Sequence, residues 1–240
     1  MGRIFEVRKS KMFARYDRMA KQFTRIGKEI IIAVKAGGPD PNSNSQLRRV
    51  MANAKSVNMP KDRVEAAIKR AAGKDQESYD EILYEGYGPG GIAVLVEAAT
   101  NNNTRTVANI RSYFNKHDGS LGTSGSVSFM FKKMGVFKLH PEGLNIDDLE
   151  FELIDFGLEE IGEGAGENDE PILIIRVPFN EFGTMQKALE DKKIATISAE
   201  SEWIPLNTTS LEDERADEVM KMVARIEEDD DVQKVFHNLA

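Results

Sequence analysis

Lys11, Arg15, Arg18, Lys21, Arg25 and Lys28 follow one another at steps of three and four residues. On a helix that spacing lines side chains along one flank. A row of ammonium and guanidinium groups does one kind of chemistry well: it collects phosphate, the lysines as point charges and the arginines through paired N–H donors. Arg8 and Lys9 extend the row upstream, and Arg48, Arg49, Lys55, Lys61, Arg63, Lys69 and Arg70 carry the excess onward. All of these except Lys21 are the candidate nucleic-acid-binding residues. Phosphate contacts raise affinity by releasing counterions and convey little sequence information. A charged helix face is also ordinary solvated surface, so the weight rests on the total. Residues 1–74 hold 18 Lys and Arg against 6 Asp and Glu, a balance of +12, whereas the other 166 residues hold 14 against 34, a balance of −20. The formal net charge of −8 conceals two opposed halves, and clustered cations favour a polyanionic partner. No recognition-helix pattern accompanies them, so sequence specificity is not part of the reading.

Other chemistry is thin. Gly86, Gly88 and Gly91 spell G-x-G-x-x-G, but a dinucleotide site needs a helix after the glycines whose N-terminus meets the pyrophosphate. Ile92, Ala93, Val94, Leu95 and Val96 follow instead and are strand-like, so the glycines are expected to shape a hairpin. Gly122-Thr123-Ser124-Gly125 falls one residue short of the G-x-S-x-G nucleophile elbow. His117, His140 and His237 lie far apart and form no H-E-x-x-H pair. The acidic run over residues 227–231 lacks the spacing and glycine of a calcium loop and is expected to be a solvated helix end. The chain has no cysteine, which excludes disulfides, thiolate metal sites and cysteine nucleophiles and fits a reducing compartment. The expectation is no enzyme, no metal and no cofactor.

The element that must carry the basic row is a long helix. Phe13, Tyr16, Ala20, Phe23, Ile26, Ile30 and Val34 form an apolar stripe opposite the cations over residues 11–35. Gly37, Gly38, Pro39 and Pro41 end it. A second helix places Leu47, Val50, Met51 and Ala54 inward. A third opens at Pro60, buries Val64, Ala67, Ile68 and Ala71, and closes at Gly73.

Beyond residue 78 the period changes. Strands are expected at 82–87, 92–98, 127–131 and 136–139, the last two turning around Met134-Gly135, with a helix at 104–117. A helix at 146–155 precedes strand, helix and strand at 172–177, 179–190 and 194–203. An amphipathic helix at 211–228 and a strand at 232–237 finish the chain. Helices against antiparallel sheets make an α+β architecture. Residues 1–11 lack the apolar core of a secretory signal and no stretch is long enough for a membrane span, so a cytoplasmic protein is expected.

Tyr84-Glu85-Gly86-Tyr87-Gly88-Pro89-Gly90-Gly91, Asn101-Asn102-Asn103-Thr104-Arg105-Thr106 and Gly119-Ser120-Leu121-Gly122-Thr123-Ser124-Gly125-Ser126-Val127 resemble the YebC/PmpR family. Ala36-Gly37-Gly38-Pro39-Asp40-Pro41 and Asn58-Met59-Pro60-Lys61-Asp62 are similar to that family's N-terminal signatures. The likeness covers nearly the whole chain. It implies an α+β multidomain fold: an N-terminal three-helix basic domain (1–76), then two ferredoxin-like α+β domains, the third (140–206) inserted in the second (77–139 plus 207–240). It implies a DNA-binding transcriptional regulator, or a ribosome-associated translational activator, since both occur in the family. It also raises Asn101, Asn102, Asn103, Arg105 and Ser124 to loop contacts with nucleic acid or a ribosomal surface. Two departures stand out. The Trp and His of the family's usual N-terminal stretch are absent from Gly2-Arg3-Ile4-Phe5-Glu6-Val7, and Gln46 stands where an arginine is usual. The expected partners are DNA or ribosomal RNA, the ribosome among them and no membrane, for a protein acting as a monomer. A protein-interaction adaptor is the remote alternative.

Overall fold

A computed structural model describes residues 3–73, 78–166 and 169–240, with side chains from Tyr16 onward. The chain divides into two compact units, Met1–Asp80 and Glu81–Ala240.

The first unit is three helices, α1 (Arg3–Gly37), α2 (Ser45–Ser56) and α3 (Lys61–Ala72). Their apolar stripes close on one core holding Ile26, Ile30, Val34, Leu47, Val50, Val64 and Ala67. One side chain fixes the α1–α2 corner. The Asn44 Oδ1 accepts from the Leu47 N–H at 3.0 Å, capping α2, while its Nδ2 donates to the Ala33 and Gly38 carbonyls at 2.7 and 2.8 Å. A single amide thus satisfies orphan groups at the end of one helix and the start of the next.

The second unit holds two four-stranded sheets. The first has the order β3-β1-β2-β8, built from β1 (Asp80–Tyr87), β2 (Ala93–Thr100), β3 (Ser120–Leu121) and β8 (Val232–His237), with α4 (Asn103–Lys116) and α7 (Asp213–Glu227) on one face. The glycine cluster turns the β1–β2 hairpin: Gly88 N–H donates to the Ile92 carbonyl at 2.8 Å, and Gly90 and Gly91 take φ of 69° and 79°, where glycine alone is unstrained. A strand follows the glycines, as the sequence predicts, so the context of a dinucleotide site is absent. β2 is apolar at consecutive positions because both its faces are covered. Val94, Val96 and Ala98 join the helices, and Ala93 and Leu95 join Val127, Phe131 and Trp203 on the other side.

The second sheet has the order β5-β6-β4-β7, from β4 (Phe131–Leu139), β5 (Glu160–Ala165), β6 (Pro171–Pro178) and β7 (Thr196–Pro205), with α5 (Ile146–Leu153) and α6 (Phe182–Asp191). All its pairs are antiparallel, and its β-α-β-β-α-β sequence is the ferredoxin-like arrangement. It is built entirely between β3 and β8, so the chain leaves the first sheet and returns to it. Three expectations change. Of the two strands foreseen around Met134-Gly135, the one at 127–131 gives way to a 3-10 turn over Ser128–Met130, and the one at 136–139 reaches back to Phe131 as the single strand β4, which belongs to the second sheet, so that this sheet begins at Phe131 and not after 139. Gly135 is no turn; a Cβ there would lie 2.6 Å from the Phe182 ring, so glycine serves close packing in the strand. The third change is β5, unforeseen because Glu-Ile-Gly-Glu-Gly-Ala offers little apolar alternation.

Candidate nucleic-acid interface

The cations of the first unit do not all do the same work. Arg18 is exposed on α1, while Arg25 is half-buried and engaged. Lys28, expected on the solvated flank, is only 7% exposed, with its Nζ 5.0 Å from the centre of the Tyr79 ring. The apolar stem is covered and the ammonium meets an aromatic face, a contact that favours a cation. Arg48 is also drawn inward, its Nη1 donating to the Pro41 and Asn42 carbonyls at 2.7 and 3.1 Å. It fastens the loop before α2. Arg49 is half-buried and engaged. Lys55, Lys61, Arg63, Lys69 and Arg70 are exposed. Lys61 pairs with Glu65 at 3.4 Å, both side chains more than half in solvent, an arrangement that hardly competes with phosphate. The Arg63 guanidinium stands 5.5 Å from the Phe23 ring centre. The side chains of Arg8, Lys9, Lys11 and Arg15 lie outside the described residues. The exposed set therefore comes from all three helices, with its largest share on α3.

The loop candidates take a different course. Asn102 caps α4, its Oδ1 accepting from the Arg105 N–H at 3.0 Å. Arg105 donates from Nη2 to Asp231 Oδ2 at 2.6 Å and to Asn101 Oδ1 at 3.1 Å. The Thr100 and Thr106 hydroxyls lie 3.1 and 2.8 Å from the same Asp231 oxygen. Asp231 is 5% exposed, so the Asn-Asn-Asn-Thr-Arg-Thr stretch supplies a buried carboxylate with its donors. Two residues earlier, Asp229 accepts from Asn109 Nδ2 at 3.0 Å and from the Tyr113 hydroxyl at 2.9 Å. Glu227, Glu228 and Asp230 are exposed, as expected of a helix end, but Asp229 and Asp231 are turned inward and lock the returning α7–β8 segment onto α4. Asn101 and Asn103 are exposed.

Glu85 plays the matching part for the second loop. At 3% exposure it accepts N–H groups from Gly125 at 2.6 Å, Val127 at 2.9 Å and Ser128 at 2.8 Å. Burial pushes its carboxyl up, but the three backbone donors outweigh that and hold it below the ordinary glutamate value. The Tyr87 hydroxyl adds a bond to the Ser126 carbonyl at 3.1 Å. The tip, including Ser124, faces solvent.

Sequence reasoning missed Glu85 and Asp231 as organisers. A lone acid inside an apolar strand and the last acid of a charged run were the available signals, and neither names its donors. Among the described residues no three His, Asp or Glu side chains gather as a metal site, and no helix is long and apolar enough to cross a membrane.

Residues 3–74 match the model of the TACO1/YebC protein N-terminal domain, and residues 79–239 that of the TACO1/YebC second and third domain. A "Probable transcriptional regulatory protein" of Myxococcus xanthus is 60% identical over 240 residues, covering 100% of both chains. A protein of the same description from Cytophaga hutchinsonii is 55% identical, covering 100% of this chain and 99% of its own. Among solved structures, the conserved hypothetical protein Aq1575 from Aquifex aeolicus is similar with a TM-score of 0.79 and 36% identity, over 92% of this chain and 90% of that one.

Proposed function

This chain belongs to the TACO1/YebC family, and from that premise we propose that it is a non-enzymatic regulator of gene expression whose N-terminal helical unit binds nucleic acid, DNA in the first reading. Relatives described as probable transcriptional regulatory proteins support the regulatory role. The observation that carries the binding role is the exposure of Arg18, Lys55, Lys61, Arg63, Lys69 and Arg70 within residues 1–74, whose charge balance is +12. The remainder of the chain, at −20, repels phosphate. Nucleic acid is therefore steered to the helices and kept off the sheets.

Phosphate contact is the mechanism. With roughly six cations engaged, affinity falls by about 10³ between 50 and 200 mM salt through counterion release. A second reading, ribosomal RNA and translational control, rests on the surface of α3. Its exposed polar side chains are Lys61, Asp62, Arg63, Glu65, Lys69 and Arg70, with no Asn or Gln to pair with adenine. Footprinting on promoter DNA and co-sedimentation with ribosomes separate the two. A flat salt response with both nucleic acids would refute both readings.

A further inference from the structure

The basic surface of the first unit is broken between α1 and α3 by a groove of about 360 Å³. That volume lies at the lower end for small-ligand sites. Its aromatic walls are Phe23 and Tyr79, and Lys28, Arg63 and Arg70 bring three cations to its lining. Two of those cations already stand over the rings, Lys28 over Tyr79 and Arg63 over Phe23.

Gly27 makes the groove informative. It sits inside the 35-residue α1, where only proline is a poorer helix former than glycine. A Cβ there would meet nothing within 4 Å. No neighbour in the protein demands a glycine, yet a side chain at this position would occupy the groove. Ala66 and Ala67 keep the opposite lining, on α3, equally low. Small residues on two facing helices, aromatic faces beside them and cations at the lining describe a slot for a flat ring with an anionic group attached to it.

We propose that this groove takes one unstacked base of a single-stranded nucleic acid, its adjoining phosphate held by Arg63 and Arg70. The inference rests on the nucleic-acid reading above and narrows it. Aromatic rings and guanidinium planes stack any base, since every base has a π face. A base within a duplex is already stacked and cannot enter, whereas duplex phosphates still reach the outer cations.

The test uses the full chain, a twelve-nucleotide RNA carrying one 2-aminopurine, and the duplex of that strand with its complement. Gly27→Leu fills the groove and replaces a helix-weakening residue, and Gly27→Ala controls for helix propensity while leaving the slot open. The expected result is quenching of 2-aminopurine on binding, and a loss of about tenfold in single-strand affinity for Gly27→Leu alone, within the worth of one stacked base. Duplex affinity stays unchanged in both variants, and thermal melting no lower than the parent's shows them folded. If the parent binds both strand forms and Gly27→Leu alters neither, or alters both alike, the groove assignment falls while the nucleic-acid reading stands. If the parent binds neither form, both fall.

Discussion

The two units handle polar side chains in opposite ways. In the helical unit, cations from three helices remain at the surface, and the buried amide of Asn44 is spent on a corner. In the β unit, the motif-rich loops turn their chemistry inward. Glu85 gathers three backbone N–H groups, and Asp231 gathers Arg105, Thr100 and Thr106. The lesson is that a dense run of Gly, Asn, Thr and Ser marks a demanding backbone as readily as a binding surface. A plain excess of lysine and arginine, which specifies no geometry, is what stays available to a partner.

The sharpest way to break this contrast is to remove the buried acids. Glu85→Ala removes the acceptor of three backbone donors, the buried Val127 N–H among them, and Asp231→Ala removes the acceptor shared by Arg105, Thr100 and Thr106. Each is expected to cost about 3 kcal/mol, the usual scale for taking a buried, hydrogen-bonded carboxylate away from its partners. Urea unfolding of the full chain measures it. Nucleic-acid affinity in the folded variants should match the parent. A variant with unchanged stability and lost binding would return these loops to the functional side of the comparison.

Next in size is a change confined to the helical unit. Lys55→Gln with Lys69→Gln removes two exposed cations from α2 and α3 outside the groove. The slope of log affinity against log salt should flatten by about 1.8, the share of two phosphates on duplex DNA. Melting should not move, because exposed charges of this kind contribute little to stability. Isothermal titration at several salt concentrations gives the slope. Arg48→Ala should behave in the reverse manner. Its hydrogen bonds to Pro41 and Asn42 make it a fastener, so stability falls by about 1 kcal/mol while the salt slope holds.

Much of the fold was legible because the strongest local signals agreed with the packing. The apolar stripe of α1, the Pro60 start of α3, the hairpin at Gly88–Gly91 and the last strand at Val232–His237 all stand where period and turn chemistry put them. Failures came where a tertiary neighbour overrode a local rule. Gly135 reads as a turn until Phe182 packs on it, and Lys28 reads as solvated until Tyr79 covers it. Asp231 reads as helix-end charge until Arg105, 126 residues distant in sequence, supplies its donor. Spacing along one helix cannot reveal a partner that arrives from another element.

The smallest effect is also the cleanest separator of the two units, because all three histidines, His117, His140 and His237, lie in the second. Burial on β8 pushes the His237 imidazole below its ordinary value of 6.5, ahead of a backbone hydrogen bond at Leu239 and the Glu227 charge, which act the other way. The unfolded chain therefore takes up this proton near pH 6.5, while the folded chain resists until a lower pH. Stability from this group is fully present above 6.5 and is lost as pH falls toward the folded value. The slope cannot exceed about 1.4 kcal/mol per pH unit for one proton, and partial solvent access reduces it. Urea midpoints between pH 7 and 5 should fall in the parent and fall less in His237→Gln. Nucleic-acid affinity of the folded chain should stay level over the same interval, since residues 1–74 contain no histidine to titrate there. A binding curve that followed the stability curve would mean that the β unit touches the nucleic acid after all.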